Sequence, residues 1–438
     1  MNEEQRAELP RAPIDRLVEP FTRFLHVEAA SGIVLLVFTA AALVLANSTL
    51  AEGFLGIWKI PLGIELGDFQ LSHSLKHWIN DGLMAVFFFV SGLEVKREIV
   101  LGELRDIRRA ALPIAAAIGG MVVPAAMYLL LQAGQPAERG WGIPMATDIA
   151  FVVGCMAVLG SRIPHGLRVL LLSLAIADDI GAILVIAIGY TDVIHWGALA
   201  WGVVGIAGVS VLARLGVRSF GIYAVLGAGI WFAFHESGIH ATIAGVVIGL
   251  MTPARAYVSE SRFGQILSQA TQVLRGGGFE GLSDRAGRVR RFQRAARELI
   301  SPVEYLERSF HPWVAFTIMP LFAFANAGVP FELSDLGDPV ALAVGISLVI
   351  GKPLGIVAVS ALAVRLGLAN LPEGVGWGAL AGGGFLAGIG FTMALFISEL
   401  ALDGAALNAA KVGVLAGSVV AAVIGVTILL AVLRPKDS

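Results

Sequence analysis

Long apolar runs, separated by short charged or Gly/Pro-rich breaks, constrain this chain more than any other feature of its sequence. A helix needs about 20 apolar residues to cross about 30 Å of hydrocarbon. The runs lie near residues 29–48, 76–98, 110–133, 141–160, 167–190, 197–213, 219–234, 238–252, 305–327, 339–366, 377–401 and 409–433. They predict an all-α polytopic membrane protein with about twelve transmembrane helices.

Lys and Arg residues are concentrated in every second predicted loop, whereas the alternate loops hold Lys59, Arg139 and almost no others. Basic loops remain in the cytoplasm, so the pattern predicts that both termini are cytoplasmic. We divide the chain into a cytoplasmic N-terminal segment (1–28), transmembrane helices 1–8 (29–252), a cytoplasmic Arg-rich loop (253–303), transmembrane helices 9–12 (304–433) and a cytoplasmic tail (434–438).

The Arg-rich loop contains two patterns that bear on function. "RVRRFQRAARELI" places apolar and basic residues on opposite faces of a helix, as expected of an interfacial amphipathic helix or of a solvated linker helix. "GGGFEG" matches a dinucleotide-binding pattern, but no strand precedes it and no βαβ unit surrounds it. A phosphate-binding GxxxxGK[ST] motif is also absent from the sequence, so a nucleotide is not a predicted partner. Nucleic acid is not a predicted partner either.

Among the ionisable residues inside the predicted membrane helices, the strongest set is Asp148, Asp178, Asp179 and Lys352. Such residues are rare in membranes, cost about 2.5 to 3.5 kcal/mol on insertion scales and usually mark ion or proton paths. Asp178 lies about eleven residues into its run, which is about 16 Å along a helix and therefore near mid-membrane. Because neighbouring side chains on a helix point about 100° apart, at least one of Asp178 and Asp179 must face the protein interior.

Two of the predicted helices carry interruptions, one in each half of the chain. Pro144 and the polar pair Thr147 and Asp148 interrupt the first, and glycines crowd "GGGFLAGIGFTMALF" (382–396) in the second. Glycines also allow close helix packing, but the two interruptions together predict discontinuous helices that cross at mid-membrane and form an ion site. A carboxylate and a lysine there would offset the half-dipoles of the helix ends.

The chemistry of these side chains favours exchange of ions. Carboxylate, hydroxyl and carbonyl oxygens suit hard cations such as alkali ions. A buried carboxyl group can hold a proton near neutral pH, so it holds either a proton or a cation, and each displaces the other. Asp179 and Asp178 are therefore candidate transient sites for Na⁺ or Li⁺. No cofactor is predicted, because an ion gradient supplies the energy.

At these residues the sequence resembles the NhaA-type sodium/proton antiporters. The resemblance is carried, in family order, by "WINDGLMAVFFFVSGLEVKREI" (78–99), "IPMATDIAFVVG" (143–154), "LAIADDIGAI" (174–183), "GIHATIAG" (238–245), "HPWVAFTIMPLFAFANAG" (311–328), "IGKPLGI" (350–356), "LPEG" (371–374) and "GIGFTMALFI" (388–397). It implies an inverted-repeat antiporter fold, a homodimer in the bacterial inner membrane and electrogenic exchange. The 253–303 segment is longer than expected for compact members of the family.

The resemblance also implies roles for individual residues. Asp179 resembles the main sodium ligand and proton carrier, and Asp178 the neighbouring acid that pairs with a lysine, here Lys352. Thr147 and Asp148 resemble the polar residues at the unwound crossing of the fourth and eleventh helices.

A second group of residues is associated with the pH response in the family. Glu94, Arg97 and Glu98 are spaced i, i+3, i+4 on one helix face, and the resemblance adds Glu307 and His240. Ordinary interfacial charge and, for His240, a packed histidine are the alternative interpretations.

We therefore predict a secondary active transporter, not an enzyme, that exports sodium and lithium in exchange for protons and is regulated by pH. One alternative is an organic solute transporter of the same fold. Another is an intramembrane aspartyl protease, which needs two carboxyl groups that share a proton. Asp178 and Asp179 diverge on one helix and cannot form that dyad together, but Asp148 with one of them could.

Overall fold

The computed structural model of the chain describes residues 28–66, 69–191, 193–217, 220–256, 264–265, 268 and 300–433. The proposed amphipathic helix, most of the 253–303 loop, nearly all of the 1–28 segment and the 434–438 tail lie outside the described residues.

The first half of the chain is mainly helical and also contains one two-stranded sheet. The elements are α1 (Glu28–Ala46), α2 (Ala51–Ile57), β1 (Pro61–Leu66), β2 (Phe69–Ser74), α3 (75–101), α4 (Ile107–Leu131), the 3₁₀ helix α5 (Pro136–Met145), α6 (Ile149–Leu159), α7 (His165–Gly189), α8 (Trp196–Arg214), α9 (Phe220–Ser237) and α10 (Thr242–Met251). The strands pair antiparallel, with Pro61 opposite Ser74 and Leu66 opposite Phe69.

The second half is also helical. It contains α11 (302–326), α12 (339–365), α13 (Trp377–Ala387), α14 (Phe391–Ala401) and α15 (Gly404–Val432). Three of the long helices each contain a π turn: Trp78–Leu83 in α3, Val314–Ile318 in α11 and Ser347–Gly351 in α12. Such turns insert an extra residue into a helix and are frequent at functional sites. The one in α12 ends immediately before Lys352.

The two predicted interruptions are present as breaks between helices. The chain is extended at Ala146 and Asp148, so that α5 and α6 form a pair bent by 41°. Three residues, 388–390, separate α13 from α14, which are bent by 47°. The prediction of a helical protein with two discontinuous helices is therefore confirmed.

Among the described residues, five continuous helices are long and apolar enough to cross a membrane, and the two bent pairs raise this number to seven. Helix is present in each of the twelve predicted runs, but α10 has ten residues and is only about 15 Å long. Twelve complete crossings therefore remain a prediction. Large apolar side chains such as Leu130, Ile188 and Trp201 are more than 70% exposed, as expected for surfaces that contact lipid.

Close helix contacts hold α12, which carries Lys352, against α4. Gly119 of α4 and Gly355 of α12 face each other, and a Cβ atom on either residue would overlap the carbonyl group of the other. Small residues of this kind allow the backbones of membrane helices to approach closely. The Gly119–Gly355 contact therefore sets the position of α12 beside α4.

We expect Gly355→Ala to destabilise the protein, because the added methyl group must push α12 away from α4. Overpacking of this kind costs about 1–3 kcal/mol, which would appear as a lower midpoint of thermal unfolding in detergent. The matched control is Gly208→Ala in α8, where nothing lies within 4 Å of an added Cβ. Equal midpoints for the two variants would contradict the close contact.

Candidate functional site

The two helix breaks lie against each other and bring four helix ends together. The backbone N–H of Asp148, in the first break, donates a 2.7 Å hydrogen bond to the carbonyl of Ile389, in the second. Gly390 lies in a crowded place, since a Cβ there would lie 2.9 Å from Ala394 Cβ and 3.3 Å from the carbonyl oxygen of Ala146. The carboxyl ends of α5 and α13 and the amino ends of α6 and α14 therefore meet at one crossing.

Asp148 accepts hydrogen bonds from the two helix amino ends at this crossing. Its Oδ1 accepts a 3.3 Å hydrogen bond from the N–H of Phe151 in the first turn of α6. Its Oδ2 accepts a 3.0 Å hydrogen bond from the N–H of Thr392 in the first turn of α14, and the Thr392 hydroxyl also donates to Oδ2. One negative side chain thus offsets the partial positive charges of two helix ends.

Lys352 and Thr147 lie within hydrogen-bond distance of carbonyl groups at the two helix carboxyl ends. The ammonium group of Lys352 donates to the carbonyl of Met145, the last residue of α5. The Thr147 hydroxyl lies 3.0 Å from the carbonyl of Ala387, the last residue of α13, and 2.7 Å from Asp178 Oδ2. A hydroxyl has one proton to donate, so Thr147 donates to one of these two acceptors at a time.

Asp178 and Lys352 form a buried ion pair. Lys352 Nζ lies 2.8 Å from Asp178 Oδ2, and neither side chain is exposed. The other carboxylate oxygen, Oδ1, is buried and has no hydrogen-bond partner within the described part of the chain. Because a charge left alone in such a place is costly, each member of the pair depends on the other.

Asp179 faces a different direction from Asp178, as expected for neighbours on a helix. Its Oδ2 accepts a 3.3 Å hydrogen bond from the hydroxyl of Ser91 in α3. Asp179 also lines a cavity of about 1360 Å³, whose described lining residues include Thr147 and Asp148 but neither Asp178 nor Lys352. The two adjacent acids are thus divided between the cavity and the ion pair.

The same cavity is lined by four of the five residues that the resemblance associates with the pH response. Glu94, Arg97, Glu98 and Glu307 line its wall. Arg97 of α3 forms an ion pair with Glu307 of α11. Glu98 Oε1 accepts hydrogen bonds from the Ser173 hydroxyl at 3.3 Å and from the backbone N–H of Glu103 at 2.9 Å.

His240, the fifth residue of that group, lies elsewhere. Its Nε2 is 2.8 Å from the carbonyl oxygen of Tyr190, which follows the last residue of α7. Ser173, the contact of Glu98, lies 17 residues before Tyr190 along the same helix, which is about 25 Å at 1.5 Å per residue. The structure therefore does not gather His240 with the other four residues.

Several polar residues at the site were missed in the sequence. Ser91 and Thr392 each bind one of the predicted aspartates, and both interrupt apolar patterns within matched motifs. Glu399 in α14 forms ion pairs with Lys411 of α15 and, at 2.7 Å, with Lys76 of α3. Glu399 and Lys411 lie in predicted membrane runs, so the rule that found Lys352 could have found them.

The geometry does not favour the protease alternative. A catalytic dyad needs two carboxyl groups that share one proton. Both oxygens of Asp148 accept hydrogen bonds from helix amino ends, and Asp178 is bound by Lys352 and Thr147. Across the described residues, no hydrogen bond joins Asp148 to Asp178 or Asp179.

We expect removal of either member of the buried ion pair to destabilise the protein strongly. Asp178→Asn or Lys352→Met leaves the other charge buried alone, which costs about 3–5 kcal/mol. The double variant removes both charges and should recover most of the loss in the midpoint of thermal unfolding. Arg109→Gln, which breaks an exposed ion pair with Glu103, should leave the midpoint unchanged. Additive losses in the double variant would show that the two residues are not coupled.

Comparison with known proteins places this site in a family. The family described as Na⁺/H⁺ antiporter 1 matches residues 22–429. The chain is 56% identical over 427 residues to a Na⁺/H⁺ antiporter NhaA of Rhodopirellula baltica, covering 98% of this chain and 97% of the relative. It is 54% identical over 419 residues to a Na⁺/H⁺ antiporter NhaA of Rhizobium meliloti, covering 95% of each chain. The chain therefore belongs to the Na⁺/H⁺ antiporter 1 family, a family of bacterial multi-pass membrane transporters.

Proposed function

We propose that the protein is an electrogenic, pH-regulated Na⁺/H⁺ antiporter that exports sodium, and also lithium, in exchange for protons. The observation that carries the proposal is the position of Asp179, a carboxylate that lines the cavity beside a second buried acid, Asp178. The relatives' names, Na⁺/H⁺ antiporter NhaA, support sodium ions and protons as the exchanged ions.

Asp179 is the proposed ion ligand. Its carboxylate, with the hydroxyl of Ser91, presents the oxygen atoms that hard cations prefer. The cavity gives a hydrated ion a route to this carboxylate, and a proton bound there must leave before the cation can bind. Competition between the two ions at one carboxylate is sufficient to couple their movement.

Asp178 and Lys352 are the proposed second element of the exchange. Asp178 has one oxygen paired with Lys352 and one without a hydrogen-bond partner. A cation at Asp179 would compete with Lys352 for Asp178 and weaken the ion pair. Thr147 and Asp148 hold the helix ends beside this site, so the exchange is proposed to move those ends relative to α7.

The pH response is proposed to arise at the Arg97–Glu307 ion pair and at Glu94 and Glu98. These groups line the same cavity as Asp179, so their charge contributes to the electrostatic potential that a cation in the cavity encounters. The position of His240 gives it no direct part in this path, and any contribution from it would have to be indirect.

We further propose a topology of twelve crossings in the bacterial inner membrane, with both termini and the 253–303 loop in the cytoplasm. The alternation of basic loops supports this orientation. The breaks in the two halves of the chain support an inverted repeat that crosses at mid-membrane. A homodimer that uses the β1–β2 hairpin is the proposed assembly.

The direct prediction is that Asp179→Asn abolishes sodium-dependent dissipation of a pH gradient. Asparagine keeps the size of the side chain but can neither balance the charge of a cation nor carry a proton. The measurement uses inside-out or reconstituted vesicles that hold a pH gradient, to which sodium or lithium is added.

The matched control is Asp403→Asn, an exposed acid just before α15, which should leave the response intact. Dissipation that survives in Asp179→Asn would reject the assignment of this residue. No response to sodium or lithium in the unmodified protein would reject the antiport itself.

Electrogenic exchange makes a separate prediction. Exchange of more protons than sodium ions moves net charge in each cycle, and each net charge gains or loses about 2.3 kcal/mol per 100 mV of membrane potential. Clamping the potential at different values in reconstituted vesicles should therefore change the exchange rate. A rate that is insensitive to the potential would indicate one-for-one exchange.

A further inference from the structure

Three histidines from three separate elements converge at the base of the β-hairpin. His73 lies in β2, opposite Leu62 of β1. His77 lies in the first turns of α3 and His235 near the end of α9. All three side chains are partly buried and remain accessible to solvent. None of them belongs to the proposed antiport site.

The imidazole rings are close enough to hold one ion. One nitrogen from each ring lies within 4.8 Å of the other two. The ring centroids are 4.2 Å apart for His73 and His77, 5.1 Å for His73 and His235, and 5.3 Å for His77 and His235. Nitrogens around one zinc ion lie about 3.4 Å apart, given Zn–N distances of about 2.0–2.1 Å. Small rotations of the three partly exposed side chains would shorten the nitrogen–nitrogen distances to those of a zinc site.

A carboxylate completes the cluster. Asp81 Oδ2 lies 3.6 Å from His77 Nε2 and 3.6 Å from His235 Nδ1. Both distances are too long for hydrogen bonds. His77 Nε2 is shielded from solvent and has no hydrogen-bond partner among the described residues. A ring nitrogen carries either a lone pair or an N–H group, and either one is left without a partner here. Burying such a group costs free energy unless a ligand binds to it.

We propose that His73, His77 and His235 form a binding site for a divalent transition-metal ion of the zinc class. Neutral imidazole is a preferred ligand of such ions, whereas the hard alkali ions of the antiport site prefer oxygen. Asp81 Oδ2 faces His77 Nε2 and His235 Nδ1, so it lies where it balances part of the charge of an ion bound between these rings. Water supplies any remaining ligand.

The bound ion would join the hairpin to α3 and α9. Existing contacts already order this region: Trp78 Nε1 donates a 2.7 Å hydrogen bond to the carbonyl of Leu62, and Trp231 Nε1 donates a 3.2 Å hydrogen bond to that of Asp81. The Trp231 ring also stacks on His235. The ion therefore adds a link between elements that are already positioned, so little ordering is needed for it to bind.

The test measures zinc binding to full-length protein that carries no polyhistidine tag. The protein is purified in detergent, stripped with a chelator and dialysed against Zn²⁺ at neutral to slightly alkaline pH. We expect one zinc ion per chain and a higher midpoint of thermal unfolding when zinc is present. His73→Gln, His77→Gln and His235→Gln should each weaken binding at least about tenfold, and Asp81→Asn about 10- to 100-fold.

His195→Gln is the matched control, because His195 is exposed and outside the cluster; its binding should equal that of the unmodified protein. Unfolding midpoints without zinc identify any variant that fails to fold, and the remaining variants then decide the result. Equal zinc binding by the unmodified protein and the folded cluster variants would overturn the proposal. An unmodified protein that retains no zinc after dialysis would overturn it as well.

Discussion

The crossing of four helix ends is the constraint on which the rest of the structure depends. A helix that stops inside a membrane leaves backbone groups without partners and exposes half of its dipole. This chain ends two helices and begins two others at one place, where each end meets a polar partner. Asp148 binds both amino ends, Lys352 one carboxyl end and Thr147 the other. Removing any of the three leaves an unsatisfied helix end in the core of the protein.

The same requirement explains the unequal surroundings of the adjacent aspartates. Lys352 must remain near Met145 to satisfy the end of α5, and Asp178 balances its charge there. Asp179 does not bind a helix end in the described part of the chain. It faces the cavity and accepts a hydrogen bond from the Ser91 hydroxyl. A carboxylate that changes its ligand can be tolerated only where the fold does not rely on its charge. Asp179 meets that condition better than Asp148.

Much of this could be predicted from the sequence. Pro144, the pair Thr147–Asp148 and the glycine-rich 382–396 run located both breaks, because prolines, polar residues and glycines interrupt apolar helices in a way that the sequence displays directly. The sequence also identified Lys352 as one of the ionisable residues within the membrane helices, and the resemblance gave it the role of partner to Asp178. These features depend on local chemistry.

The remaining features depend on contacts between distant segments. No periodicity indicates that the Thr392 amide reaches Asp148 across 244 positions, or that Glu399 lies between Lys76 and Lys411. Resemblance groups His240 with Glu94 and Glu307, yet folding places it beside Tyr190, about 25 Å along α7 from the Ser173 contact of Glu98. The His73–His77–His235 cluster likewise combines a strand and two helices, and its members are unremarkable in the sequence.

The π turn at Ser347–Gly351 divides α12 into two segments that pack on different helices. The segment before it packs on α15, and the segment after it packs on α4 and α13. One additional residue within a turn rotates everything beyond it by about 100°, so the two segments can each present their own small residues to a different neighbour. A single helix thereby joins α15 on one side to α4 and α13 on the other, and Lys352, the first residue beyond the turn, lies where the two segments meet.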